Sequence, residues 1–210
     1  TVLVFKGKPY SRAGSNEFTS TTGYGVAKYD NPKEMTTTDR NNIGKQYTDC
    51  PIYWLSVIYL NYAEAKAELG NLTQADLDKS VNLLQKRAGL PNMTTTPEAD
   101  PANNMNVSNL LWEIRRVRRC ELMFDNWYRY WDLIRWHQLD LLDSQKHPNI
   151  YLGANLKYLK NPEVDVNADG YMIGSNTLKQ IRTFDKKHYF YPVPTGQITL
   201  NKELKQNPGW

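Results

Sequence analysis

The sequence predicts a mainly α fold: two helical hairpins set between extensive irregular loops that carry a few short strands. Three observations predict it. Apolar residues recur at three- and four-residue spacing only between Pro51 and Leu142. Helix caps or stops bound the periodic runs in that stretch. On either side the chain is rich in Gly, Ser, Thr, Asn and Pro, the residues of turns and loops. The expected organisation is a single domain, with residues 1–50 loop-rich, 51–143 helical and 144–210 irregular with short strands.

Residues 1–50 include SRAGSNEFTSTTGYG and TTTDRNNIGKQ, and apolar runs such as Val2 to Phe5 allow only brief strands. Pro51 suits the first turn of a helix, and Leu55, Ile58, Tyr59, Tyr62 and Ala65 then follow a period near 3.6 until Gly70 stops it. Thr73, with Asp76 three residues later, opens a second helix carrying Leu77, Val81, Leu84 and Ala88, which Gly89 and Pro91 end. The short connection predicts an antiparallel pair.

A connector rich in Pro, Asn and Thr runs from Pro91 to Asn106. Ser108 then caps a third helix with Leu110, Leu111, Ile114, Val117, Leu122 and Phe124 as its apolar residues. A break near Asp125 and Asn126 leads to a fourth arm, from about Trp127 to Leu142, with Tyr130, Leu133, Ile134, His137 and Leu141 on one face. Two hairpins of this length are tetratricopeptide-like in architecture, although the consensus residues of that repeat are not met. Beyond His147, short strands are expected around Tyr171 to Ile173 and His188 to Tyr191, and a terminal turn at Asn207, Pro208 and Gly209.

With 210 residues, 40% of them hydrophobic, the chain can build one sizeable core. The net charge is +4, but acidic residues are interspersed with the basic ones, so no tract suits a phosphate backbone. Cys50 and Cys120 are too few for a disulfide framework and form no metal or redox pair; they are expected as buried thiols, a bridge remaining open in an oxidising compartment. No stretch approaches the ~18 apolar residues of a membrane span. The chain starts at Thr1 without a leader, so the expectation is a mature or truncated product whose targeting signal, if any, lies outside it.

The densest chemistry lies in Arg115 to Leu139. Glu121 falls on the apolar face of its helix, where burial demands an arginine, and Arg118, Arg129 or Arg135 is in reach. Asp132 has Arg129 and Arg135 one turn away on either side. The enzymatic alternative uses Glu121, Asp125 or Asp132 as a glycosidase pair. That chemistry needs one carboxyl kept protonated, whereas these arginines favour the ionised form, so an ion-pair network is the preferred reading and no catalytic residue is assigned. Trp127, Trp131 and Trp136 are expected in the core.

His137, His147 and His188 show no metal spacing. The stretch DVNADGY matches the opening of a calcium loop through Asp165, Asn167 and Asp169, with Gly170 at the turn; Asn176 replaces the glutamate of the twelfth position, so a plain turn is preferred and calcium is the alternative. GYG at Gly23 to Gly25 lacks the rest of a phosphate loop.

Four segments, in order, resemble the C-terminal portion of the SusD/RagB family: PIYWLSVIYLNYAEAKAELG, VNLLQKRAGLP, VRRCELMFDNWYRYWDLIRW and YFYPVPTGQITLNKELKQNPGW. Val117, Asp125, Asn126 and Ser56 depart from the residues usual there. The resemblance implies an outer-membrane lipoprotein facing outward, anchored by lipid outside this stretch. It implies noncatalytic binding of an oligosaccharide and delivery to a SusC-like TonB-dependent transporter, with peptide binding as the variant seen in some members. Ligand contacts in the family come from variable loops, so its motifs transfer no site. The ring-bearing polar loops of this sequence nominate Tyr10, Asn16, Phe18, Tyr151 and Tyr158 as ligand-binding residues.

Overall fold

The structure, a computed structural model, describes residues 2–4, 22–26, 28, 36, 38–39, 44–45, 52–158, 166–173 and 181–210. The chain forms two compact units, one of residues Pro51–Gln138 and one of Thr1–Cys50 with Leu139–Trp210.

The first unit is helical. Helix α1, Leu55–Glu68, buries Ser56, Leu60, Ala63 and Glu64, while Leu55, Ile58 and Ala65 of the expected apolar face point to solvent. The inward face is thus turned by about one residue step, ~100°, from the hydropathy stripe. The reason is that a serine and a carboxylate sit among its inward residues.

The expected second helix is broken in two. Gln74–Asp78 (α2) starts from a capping box in which Thr73 and Asp76 bond each other's backbone N–H. Val81–Arg87 (α3) follows a break at Lys79 and the fully buried Ser80. Leu77, Val81 and Leu84 are buried as expected, but Ala88 is an exposed cap residue. Asn82 receives Met93 N–H at 2.7 Å and donates to Met93 C=O at 3.1 Å, fixing the connector on α3.

Helix α4, Asn109–Glu121, begins where Ser108 Oγ accepts Leu111 N–H at 3.2 Å. It ends before Leu122, which stays buried, and before Phe124, which faces solvent. Helix α5, Tyr128–Arg135, stops short of the expected Leu142; His137 turns to φ +53°, and a separate 3-10 turn covers Leu139–Leu142. The turn between α4 and α5 holds Phe124 at φ +65° and Trp127 at φ +59°. Such left-handed conformations cost bulky residues about 1–3 kcal/mol each. The core joins Leu60 and Ala63 of α1 to Leu77, Val81 and Leu84, and to Ile114, Val117 and Leu122.

In the second unit Val2–Val4 (β1) pairs antiparallel with Tyr24–Val26 (β2), and Leu152–Asn155 (β3) with Tyr171–Ile173 (β4). Ala154, Leu156 and Met172 form a small core. The strand expected from His188 to Tyr191 is instead a 3-10 turn, Lys186–Tyr189. Asp185 prevents the extended form: its carboxylate accepts Lys187 N–H at 3.1 Å and its own N–H donates to His188 Nδ1 at 2.9 Å. A last short helix, Thr195–Leu200 (α6), precedes the C-terminal turn, where Trp210 Nε1 donates to the carbonyls of Phe190 and Lys187 at 2.9 and 3.1 Å.

Candidate functional site

The charged constellation expected from Arg115 onward does assemble, around a residue that the sequence reading passed over. Glu64, on the inward face of α1, is 3% exposed. Arg115 Nε of α4 reaches its carboxylate at 3.0 Å, Arg135 Nη1 of α5 at 3.1 Å and Trp136 Nε1 at 2.8 Å. The Arg115 and Arg135 guanidinium carbons both lie 4.7 Å from the Trp136 ring, adding cation–π attraction. Burial pushes the Glu64 carboxyl up, but Arg135, Trp136 and Arg115 together hold it below its ordinary value.

A second buried pair joins this cluster. Arg118 Nε meets Asp132 at 2.7 Å, Arg118 Nη1 donates to Asn61 at 2.9 Å, and Arg135 Nε reaches the other Asp132 oxygen at 2.9 Å. Both Arg118 and Asp132 are buried. Arg115 meeting Glu64 and Glu68, and Arg118 meeting Asn61, set α4 antiparallel to α1. The network is a lock between three helices.

Several expectations are corrected by this geometry. Glu121 is only partly buried, and its ion pair is with Arg87 of α3, an arginine the sequence reading had not offered it. Asp132 takes Arg118 and Arg135 as its close ion-pair partners, and Arg129 acts on it through longer-range attraction. Asp125 is buried at the α4–α5 turn, where its carbonyl accepts Tyr128 N–H at 3.0 Å. Of the three carboxylates nominated for hydrolysis, Asp125 and Asp132 are buried, and Asp132 and Glu121 are held in arginine ion pairs. Of the three tryptophans, only Trp136 is in the core; Trp127 is 80% exposed and Trp131 more than half exposed. Cys120 is exposed rather than buried, and Cys50 lies outside the described residues.

Glu64, Glu68, Asn61 and Arg115 were missed as members of the lock. A signal for them exists: arginines outnumber carboxylates between Arg115 and Arg135, so the surplus needs acidic partners from another helix. YAEAKAE supplies them at Glu64 and Glu68.

The nominated ligand residues are dispersed. Tyr10, Asn16 and Phe18 lie outside the described residues, as does Asp165 of the calcium-loop stretch. Tyr151 is half-buried with the Arg182 guanidinium 5.6 Å from its ring centre, and Tyr158 is 94% exposed. Asn167 Oδ1 accepts the N–H groups of Asp169 and Tyr171 at 3.1 and 2.9 Å, and Gly170 takes φ +85°, as a tight turn requires. Among the described residues no three His, Cys, Asp or Glu side chains gather as metal ligands. None of the described helices is long and apolar enough to cross a membrane.

A sequence model of the SusD family matches residues 5–210. The crystal structure of a SusD-like protein, BF3747 from Bacteroides fragilis NCTC 9343, is similar at 27% identity and a TM-score of 0.59, over 91% of this chain and 31% of that one. Two structures of BT4246, one of them the selenomethionine form, are 28% and 29% identical over 76% of this chain, with TM-scores of 0.49. They are matched over 24% and 23% of their own lengths. No curated protein matches the chain. The chain thus spans under a third of the length of each of these solved proteins.

Proposed function

We propose, from the premise that this chain belongs to the SusD family, that it is part of a noncatalytic surface protein that captures oligosaccharide. SusD family proteins are noncatalytic binding proteins with a surface role in nutrient uptake. In this reading the captured glycan passes to a SusC-like TonB-dependent transporter in the outer membrane, to which the protein is held by a lipid anchor outside this chain. The observation that carries it is the family match over residues 5–210.

The geometry is consistent with binding rather than hydrolysis. A general acid must hold a proton near neutral pH, usually through burial without a cation. Asp132 sits between two guanidiniums and Glu121 against a third, so both carboxylates are taken up by ion pairs that tie helices together. In such a protein the recognition surface falls to loops, and Tyr151 and Tyr158 are its described ring-bearing members. Calcium at Asp165, Asn167 and Asp169 would serve as a loop staple, and titration with the metal alone, followed by thermal melting, tests for it.

The direct test titrates a broad oligosaccharide panel into the purified protein, followed by calorimetry and by chromatography for released sugar. Saturable binding without release is expected, with Y158A weakening it ~10-fold, about 1.4 kcal/mol. Release of free sugar would sink the noncatalytic reading. Binding to peptides and to no glycan would replace the ligand class while leaving the family standing.

A further inference from the structure

In the unit that contains Leu139–Trp210, three cations rest on aromatic rings. Lys146 Nζ lies 6.0 Å from the centre of the Phe184 ring, and Lys187 Nζ 4.7 Å from that of Trp210. The Arg182 guanidinium carbon lies 5.6 Å from the centre of the Tyr151 ring. Among the described residues the ion pairs all fall between Glu64 and Arg135, so none of these three cations is answered by a carboxylate. Asp143 attracts Lys146 at longer range, but its oxygens are occupied by backbone groups. Oδ1 accepts the N–H of Gln145 at 2.8 Å and of Lys146 at 3.2 Å, and Oδ2 accepts that of Phe184 at 3.0 Å.

The rings under these cations are linked. The Phe184 and His188 centres are 6.1 Å apart, and those of His188 and Trp210 5.8 Å, so Lys146 and Lys187 stand at the two ends of a run of three rings. Arg182 is pinned beside it: its C=O accepts Ser144 N–H at 2.9 Å and its own N–H donates to Ser144 Oγ at 2.9 Å. The backbone is thus anchored while the functional groups stay within reach of solvent. Lys146 and Arg182 are exposed, Trp210 is 45% exposed, and Tyr151 and Lys187 are half-buried.

An aromatic face holds a cation without cancelling its charge, as a carboxylate would. A cation so held has less freedom to lose when an anion arrives, and the arginine fork matches a carboxylate or sulfate in particular. Exposed ring faces supply the flat apolar surface on which a sugar's C–H face stacks. A nucleic acid asks for a longer uninterrupted row of cations, whereas here Asp185 stands between Arg182 and Lys187 in the chain. We propose that Lys146, Arg182 and Lys187, with the rings of Tyr151, Phe184 and Trp210, form a subsite for an acidic oligosaccharide, one that carries uronate carboxylates or sulfate esters. The proposal rests on the glycan-binding reading and narrows its ligand class.

Calorimetric titration of the purified protein with maltohexaose, hexagalacturonate and a sulfated chondroitin hexasaccharide tests it. At least one acidic sugar should bind ~10-fold or more tightly than the neutral one, and its affinity should fall as salt is raised. The pair R182Q/K187Q should weaken that binding at least ~10-fold, and K146Q should weaken it by itself. Thermal melting shows that each variant is folded, and K146Q carries the comparison if the pair is not. Neutral binding equal to or tighter than acidic binding would overturn the subsite and leave glycan capture standing. So would failure of both acidic sugars to bind, or acidic binding that neither variant weakens. Binding of an acidic peptide or a single-stranded oligonucleotide, with no sugar bound, would overturn both readings.

Discussion

Trp136 donates its indole N–H to Glu64 across 2.8 Å, joining side chains 72 positions apart in sequence. This bond and those from Arg115 and Arg135 make Glu64 the centre of the helical unit's lock. A buried charge is tolerated only while its partners remain, and removing one side of such a pair strands the other. E64Q should therefore cost about 3–5 kcal/mol of stability. Chemical denaturation of the variant beside the parent measures it, and a loss below about 1 kcal/mol would show that the arginines find other partners in solution.

The same carboxylate sets a pH dependence. Its folded pKa lies below its ordinary value because the arginine and indole donors outweigh burial. Its contribution is therefore complete above the unfolded pKa, roughly 4.3, and is lost as pH falls through the lower folded value. Asp76, held well below the usual carboxylate range by the Tyr62 hydroxyl, Thr73 and Lys79, acts with the same sign. Denaturation midpoints should be flat from about pH 7 to 5 and fall below about 4, and E64Q should flatten that fall.

Arg118 and Asp132 form a second buried pair, and their case distinguishes locking from net stabilisation. Either R118M or D132L alone leaves a charge without its main partner and should cost about 3–5 kcal/mol. The double variant should recover much of that loss, because two apolar side chains avoid the desolvation of both ions. A double-mutant cycle gives the coupling directly. Additive losses would mean the pair does not interact as its 2.7 Å contact indicates.

Much of this fold was legible in the sequence. Ser108 and Thr73 cap their helices as their side-chain chemistry predicts, since each oxygen meets an N–H that the first turn leaves unpaired. The face of α1 was misread because periodicity weighs hydropathy alone, and its buried side carries Ser56 and Glu64 while Leu55 and Ile58 look outward. Trp127 and Trp131 were misplaced for a related reason. An aromatic residue is read as core by default, but which way it points depends on the α4–α5 turn, whose left-handed residues no local propensity announces. The partners of Glu64 and Glu68 lie 47 to 72 positions away, beyond any window that reads spacing.

Ser56 gives a prediction of opposite sign. Its hydroxyl oxygen is buried and, among the described residues, makes no hydrogen bond. A buried hydroxyl left without a partner forfeits its hydration for nothing in return, a cost of about 1–3 kcal/mol. S56A removes the oxygen and keeps the Cβ, so it should stabilise the protein by about 1 kcal/mol. A raised denaturation midpoint with unchanged slope is the expected observation. Destabilisation would reveal a partner for Ser56 in solution.

Two glycines of the other unit make a matched pair. A Cβ on Gly153 would lie 2.5 Å from the carbonyl oxygen of Thr22 and 3.3 Å from the Met172 Cβ. The Thr22 carbonyl cannot easily retreat, because it accepts Ala154 N–H at 2.8 Å. G153A should therefore cost about 1–3 kcal/mol, the usual range for overpacking a filled site. Gly196 lies within helix α6 with nothing inside 4 Å of its Cβ position. There an added methyl only restricts the unfolded chain, and G196A should stabilise by about 0.5–1 kcal/mol. Thermal melting of both variants under one condition checks the contrast; equal shifts would mean that the close approach of Thr22 to β3 does not hold in solution.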